Sequence, residues 1–140
     1  MADLFEQLVA DYLTEEGYLT RLNVNYRKAD GKQSGSDIDV LALHRKDHRV
    51  IVGDCKSWQD GFWADWMLGK LEDNNSSEQR QRDRFKAIFD PRWAEGLATK
   101  VEKELGTPRF TYVIYCTRRR GESQRLLEIE RTVAGNPIKV

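Results

Sequence analysis

Residues Ser36 to Ser57 read SDIDVLALHRKDHRVIVGDCKS, two runs rich in Ile, Val and Leu around a polar middle. Asp37 to His44 and His48 to Lys56 each have strand character, and Lys46-Asp47 between them has the composition of a two-residue turn. The stretch is therefore predicted to be a β-hairpin in which residues equidistant from the turn face each other. Asp39 then faces Asp54, and Asp37 faces Lys56. Side chains alternate along a strand, so these four share one face, which Leu41, Leu43, Val50 and Val52 continue toward the turn. Ile38, Val40, Ala42 and Ile51 line the other. Like charges directly opposite each other destabilise a sheet, so two carboxylates at the end of an apolar face call for a compensating cation. A hard divalent ion with oxygen ligands suits them. By the same reasoning, neutralising Asp54 is expected to stabilise the metal-free protein.

An acidic residue, a hairpin turn and then Asp-x-Lys resembles the PD-(D/E)xK nuclease superfamily, with Gly35-Ser36-Asp37-Ile38-Asp39-Val40 and Asp54-Cys55-Lys56 closer to its resolvase-like and Mrr-like branches. The resemblance covers about the first half of the chain. Ile38 stands where the superfamily's name has proline, a position that varies widely. The resemblance implies a restriction-endonuclease-like α/β fold, a mixed sheet with helices on both faces. It implies Asp39 as the first acid, Asp54 and Lys56 as the (D/E)xK pair, and Glu6 as the acid many members carry on the first helix. The backbone carbonyl of Cys55 would join Asp39 and Asp54 in holding Mg²⁺ or Mn²⁺, and Gln81 would be the polar residue that a later helix contributes.

With 140 residues the chain fits one domain, long enough to bury roughly two-thirds of its unfolded surface. Its 33% charged, 39% hydrophobic and 10% aromatic residues mark neither a disordered nor a membrane-spanning chain. Met1 to Glu6 lack the basic start and apolar stretch of a signal peptide, so a cytoplasmic protein with no membrane partner is expected. Cys55 and Cys116 have no zinc-like spacing and are expected to be reduced, buried thiols. The 23 basic and 23 acidic residues cancel, which excludes an indiscriminate polycation. Their distribution is uneven: residues 1 to 16 carry five acids and no Lys or Arg, whereas Arg80, Arg82, Arg84, Arg92, Arg118, Arg119 and Arg120 gather later.

Leu4, Phe5, Leu8, Val9, Tyr12 and Leu13 recur at helical spacing and predict an amphipathic helix over residues 3 to 16, ended by Gly17. A strand follows from Tyr18 to Tyr26, and Arg27 to Ser36 has loop composition just ahead of the acids. Trp58 to Asn75 is irregular or briefly helical. Ser76 and Gln79 cap a helix to Phe89, Pro91 breaks it, and a further helix runs from Arg92 to Leu105. A strand from Arg109 to Thr117, a helix from Glu122 to Val133 and a short strand near Ile138 complete the expected order.

Several residues have two readings. Glu6 is a second metal ligand or the closing half of a capping box with Asp3. Asp37 is a rim residue bonded to Lys56 or an amide, or a further ligand. Asp39, Asp54 and Lys56 are a catalytic unit or a strand-end ion-pair cluster, which three acids to one lysine would leave underneutralised. Gln81 is an active-site polar group or a buried amide. Trp58, Trp63 and Trp66 form a packed cluster or stack on bases. Arg118 to Arg120, with Arg80 and Arg84, meet nucleic-acid phosphates or lie solvated at a turn. The function that follows is metal-dependent hydrolysis of phosphodiesters, in DNA in preference to RNA, with a homodimer suited to cutting both strands. The competing readings are a catalytically idle nucleic-acid-binding module on the same fold and an RNA-directed nuclease.

Overall fold

The computed structural model describes residues 3–29, 35–57, 85–117 and 128–140. Helix α1 (Leu4–Glu15) leads to β1 (Tyr18–Tyr26), β2 (Ser36–His44) and β3 (Val50–Lys56). Helices α2 (Lys86–Phe89) and α3 (Pro91–Leu105) precede β4 (Thr111–Cys116), and β5 (Glu128–Val133) with β6 (Asn136–Lys139) forms a terminal hairpin. The strands make one mixed sheet in the order β1-β2-β3-β4-β6-β5. β1, β2 and β3 are antiparallel neighbours, whereas β4 runs parallel to both β3 and β6.

The two faces of the sheet carry separate cores. Val40, Ala42 and Tyr18 pack with Val9, Ala10 and Leu13 of α1. Leu41, Val50, Val52, Tyr112 and Ile114 pack on the opposite side with Ala87, Ile88, Trp93, Leu97 and Val101 of α2 and α3. Helices thus cover both faces of an α/β sheet, as a sheet with two apolar faces requires.

The β2–β3 ladder pairs Val40 with Gly53, Leu41 with Val52, Ala42 with Ile51 and Leu43 with Val50, the register expected from the sequence. The connection is longer than a two-residue turn. His44 N–H donates to the Arg49 carbonyl, and His48 takes the left-handed conformation at the end of the intervening loop. The loop grows symmetrically about Lys46-Asp47, which leaves the pairing unchanged.

Two expectations fail. Ile38 was expected beside Val40, but it joins the core under α2 and α3. The cause lies on β1, where Leu22 packs toward α1 while Val24 and Tyr26 pack on the far side. Between them Asn23 sits at φ 52, a left-handed conformation that Asn tolerates better than most residues. The paired rungs skip from Leu22↔Val40 to Val24↔Ile38, so both strands change face across Asn23 and Asp39. The second failure is the helix expected over Glu122 to Val133, of which residues 122–127 lie outside the described residues. Glu128–Val133 is a strand, closed onto β6 by Ala134 and Gly135, both at positive φ. Such a turn matches the twist of paired strands, and its Ala-Gly sequence is a weaker signal than Asn-Gly or Asp-Gly. Hairpin pairing with β6, which itself pairs with β4, overrides the helical pattern there.

Candidate active site

At its open end the β2–β3 ladder gives way to side-chain chemistry. Beyond Val40↔Gly53 the Cys55 N–H donates to the Asp39 carboxylate at 2.8 Å, so a side chain stands in for a main-chain acceptor. Asp54 follows Gly53 on the neighbouring strand and is buried, 8% exposed. Its two oxygens have separate partners: Lys56 Nζ at 2.7 Å on Oδ1, and the Tyr112 hydroxyl donating at 2.7 Å to Oδ2. Tyr112 comes from β4, whose parallel register places it beside Val52, two residues before the neighbour of Asp54. The pleat aims all three at the same face.

These groups line a cleft of about 310 Å³, with Tyr26, Ser36, Asp37, Asp39, Asp54, Lys56, Lys86 and Tyr112 in its wall. Ordered strands supply most of the lining, and α2 supplies Lys86. Gly53 lets the strands pack closely behind the carboxylates, because a Cβ there would stand 3.3 Å from both the Val40 carbonyl and its Cβ.

The electrostatics divide the two acids. Burial, together with the charges of Asp54 and Glu6, pushes Asp39 up to about 7 despite the opposing effects of the Cys55 N–H and Lys56. Tyr26 is pushed up to about 12, mainly by burial, with Asp54, Asp39 and Asp37 all adding to the shift. The Cys55 thiol and the Tyr112 hydroxyl are raised as well, by burial first and by the same carboxylates second. Negative potential is therefore concentrated at this end of the sheet. Asp54 is matched by an ammonium and a hydroxyl, and Asp39 is the acid whose charge is least compensated. The sequence-based expectation that neutralising Asp54 would relieve repulsion needs correction: Asp54→Asn would take away the partner of a largely buried lysine. Relief belongs to Asp39.

Asp37 accepts from the Asn25 side-chain amide at 3.2 Å, in keeping with a rim role, and Lys56 pairs with Asp54 instead. Glu6 forms the capping box, with Glu6 N–H on Asp3 at 2.8 Å and Asp3 N–H on Glu6 at 3.2 Å, while its charge still reaches Asp39. Among the described residues no group of three or more His, Cys, Asp and Glu side chains is placed to hold a metal ion. An ion here would take Asp39 and Asp54 as its carboxylates and fill its shell with a carbonyl and waters, the donor set that Mg²⁺ accepts. Both thiols are free and only half-buried. Gln81, Arg80, Arg84, Arg118, Arg119, Arg120, Trp58, Trp63 and Trp66 lie outside the described residues. Sequence reasoning missed Tyr112 and Lys86. Hairpin symmetry identifies Asp54, but the register of a parallel strand reached through a long crossover has no local signal.

No protein-family model matches the chain. No curated protein matches it either. A solved structure titled "Crystal Structure of Protein of Unknown Function AF1548" is similar, with a TM-score of 0.46 and 20% identity, over 86% of this chain and 50% of that one. The chain thus spans about half the length of that neighbour. No helix among the described residues is long and apolar enough to cross a membrane.

Proposed function

We propose that the chain is a metal-dependent nuclease of restriction-endonuclease-like architecture that hydrolyses phosphodiesters, in DNA in preference to RNA. The observation that carries this reading is the end of the β2–β3 ladder, where Asp39, Asp54 and Lys56 meet in one cleft. Asp39 and Asp54, with the Cys55 carbonyl, would hold Mg²⁺ or Mn²⁺. The bound ion would supply an acidified water and offset charge on the scissile phosphate. Lys56 orients the attacking water and neutralises charge that develops on the phosphate, in the position where Asp54 now holds it. Tyr112 fixes one oxygen of Asp54, and the capped first turn of α1 carries Glu6 near enough to add to the field at Asp39.

The 2.7 Å Lys56–Asp54 contact favours a second reading, a nucleic-acid-binding module in which these groups form a structural ion pair. The two are separated by incubating the protein with single-stranded, duplex, flap and four-way-junction DNA and with RNA, in Mg²⁺ and in Mn²⁺. The nuclease reading expects metal-dependent cleavage of at least one substrate that disappears in chelator. Binding without cleavage under every condition would leave the second reading in place.

A further inference from the structure

Trp93 has two ammonium groups around it. Lys86 Nζ lies 4.3 Å from the ring centroid and Lys28 Nζ lies 5.9 Å from it. Lys28 is 8% exposed and Trp93 is 7% exposed, whereas Lys86 is half-buried. Among the described residues neither ammonium lies within ion-pair distance of a carboxylate. The nearby Asp90, which also feels the charge of Lys28, has its side-chain oxygens engaged by Arg92 at 3.0 and 3.1 Å. A ring face offers an ammonium about 0.5–2 kcal/mol, less than burying the unpaired ammonium of Lys28 costs. An anion held between or beside them would meet the difference.

The cleft shows where that anion belongs. Lys86 lines the same wall as Asp39, Asp54 and Lys56, while Lys28 lines a neighbouring cavity that shares Tyr26 with this cleft. The position is held rigidly. α3 approaches the Arg27–Lys28 backbone so closely that a Cβ on Gly96 would lie 1.8 Å from the Arg27 carbonyl oxygen, and Ala29 N–H donates to the Arg92 carbonyl at 3.0 Å. We propose that Lys86 and Lys28 form a phosphate-binding subsite for a polynucleotide backbone, beside the carboxylate pair and separate from it. The inference rests on the nucleic-acid reading of the cleft. It adds the residues that hold a phosphate next to the one cleaved.

The test is fluorescence anisotropy of labelled single-stranded and duplex DNA in chelator, over a series of salt concentrations. Each phosphate contact contributes about 0.7 to the slope of log affinity against log salt for single strands and about 0.9 for duplex. Lys86→Gln and Lys28→Gln should each lower the slope by nearly one contact and weaken binding about tenfold at ~0.05 M salt. Lys86→Arg should keep the slope, and Lys46→Gln, on the exposed hairpin loop, should leave it unchanged. The two glutamine variants are read separately, so one that fails to fold leaves the other decisive. An unchanged slope in a folded variant, or no DNA binding by the wild type, overturns the subsite. Because the assay contains no metal, lysine-dependent binding without cleavage in Mg²⁺ would sink the nuclease and spare the subsite. Cleavage with unchanged slopes would do the reverse.

Discussion

Asp39 is the residue whose ionisation opposes folding. Its folded pKa of about 7 lies above the ordinary 3.8, so the folded chain binds this proton more tightly than the unfolded chain does. The associated stability is fully present below 3.8 and is lost as pH rises through about 7. Denaturation in chelator across this window should show the wild type losing stability with rising pH more steeply than Asp39→Asn; parallel profiles would contradict the assignment. Tyr112 should behave in the opposite sense, as a donor to a buried carboxylate. Tyr112→Phe is expected to remove about 1.5–3 kcal/mol, measured by urea unfolding at neutral pH, and a neutral outcome would mean that Asp54 finds another donor. Lys56→Met keeps the apolar stem and removes the ammonium. On the nuclease reading it should abolish cleavage while leaving DNA binding in chelator within a few-fold of wild type, because that reading has the charge act on water and on the transition state.

Among the elements, the hairpin was legible because its register depends on symmetry about a turn, which the sequence of Ser36 to Ser57 displays directly. The four-residue loop in place of two altered nothing that mattered. Helix α1 was legible for a similar reason, since Asp3 and Glu6 mark its start and Gly17 lies just beyond its end. The change of face at Asn23 was not, because one left-handed residue in a nine-residue strand leaves no trace in a hydrophobic pattern. It moves Val24, Tyr26 and Ile38 under α2 and α3 and sets Asp39 at the point of reversal. Asn23→Gly should therefore fold normally, whereas Asn23→Val should lose about 1–2 kcal/mol by chemical denaturation. Equal stabilities would remove Asn23 as the cause of the switch. β5 was misread because its pairing with β6, the strand that joins it to β4, is decided by the sheet and not by local periodicity.

Over the whole molecule, two cores on opposite faces hold a sheet whose central strands β3 and β4 carry Asp54, Lys56 and Tyr112. The arrangement places negative potential at one end of the sheet, with Lys56 and Lys86 beside it and α1, which carries no basic residue, over the other face. Asp39 and Asp54 were legible as a pair from two strands and one turn. The groups that condition them, Tyr112 and Lys86, were not, because Lys86 lies within and Tyr112 beyond the long connection from β3 to β4, residues 57–110, and packing alone sets their register. The claim on which the rest depends is that Asp39 and Asp54 together hold a divalent cation. The most direct measurement is thermal unfolding of wild type and Asp39→Asn with and without Mn²⁺. With Mn²⁺ at about a hundred times its dissociation constant, mass action predicts a gain of about 2.7 kcal/mol for the wild type, on the order of 5–10 °C in Tm, and almost none for Asp39→Asn. Equal stabilisation of the two proteins, or no stabilisation of the wild type, would contradict the account.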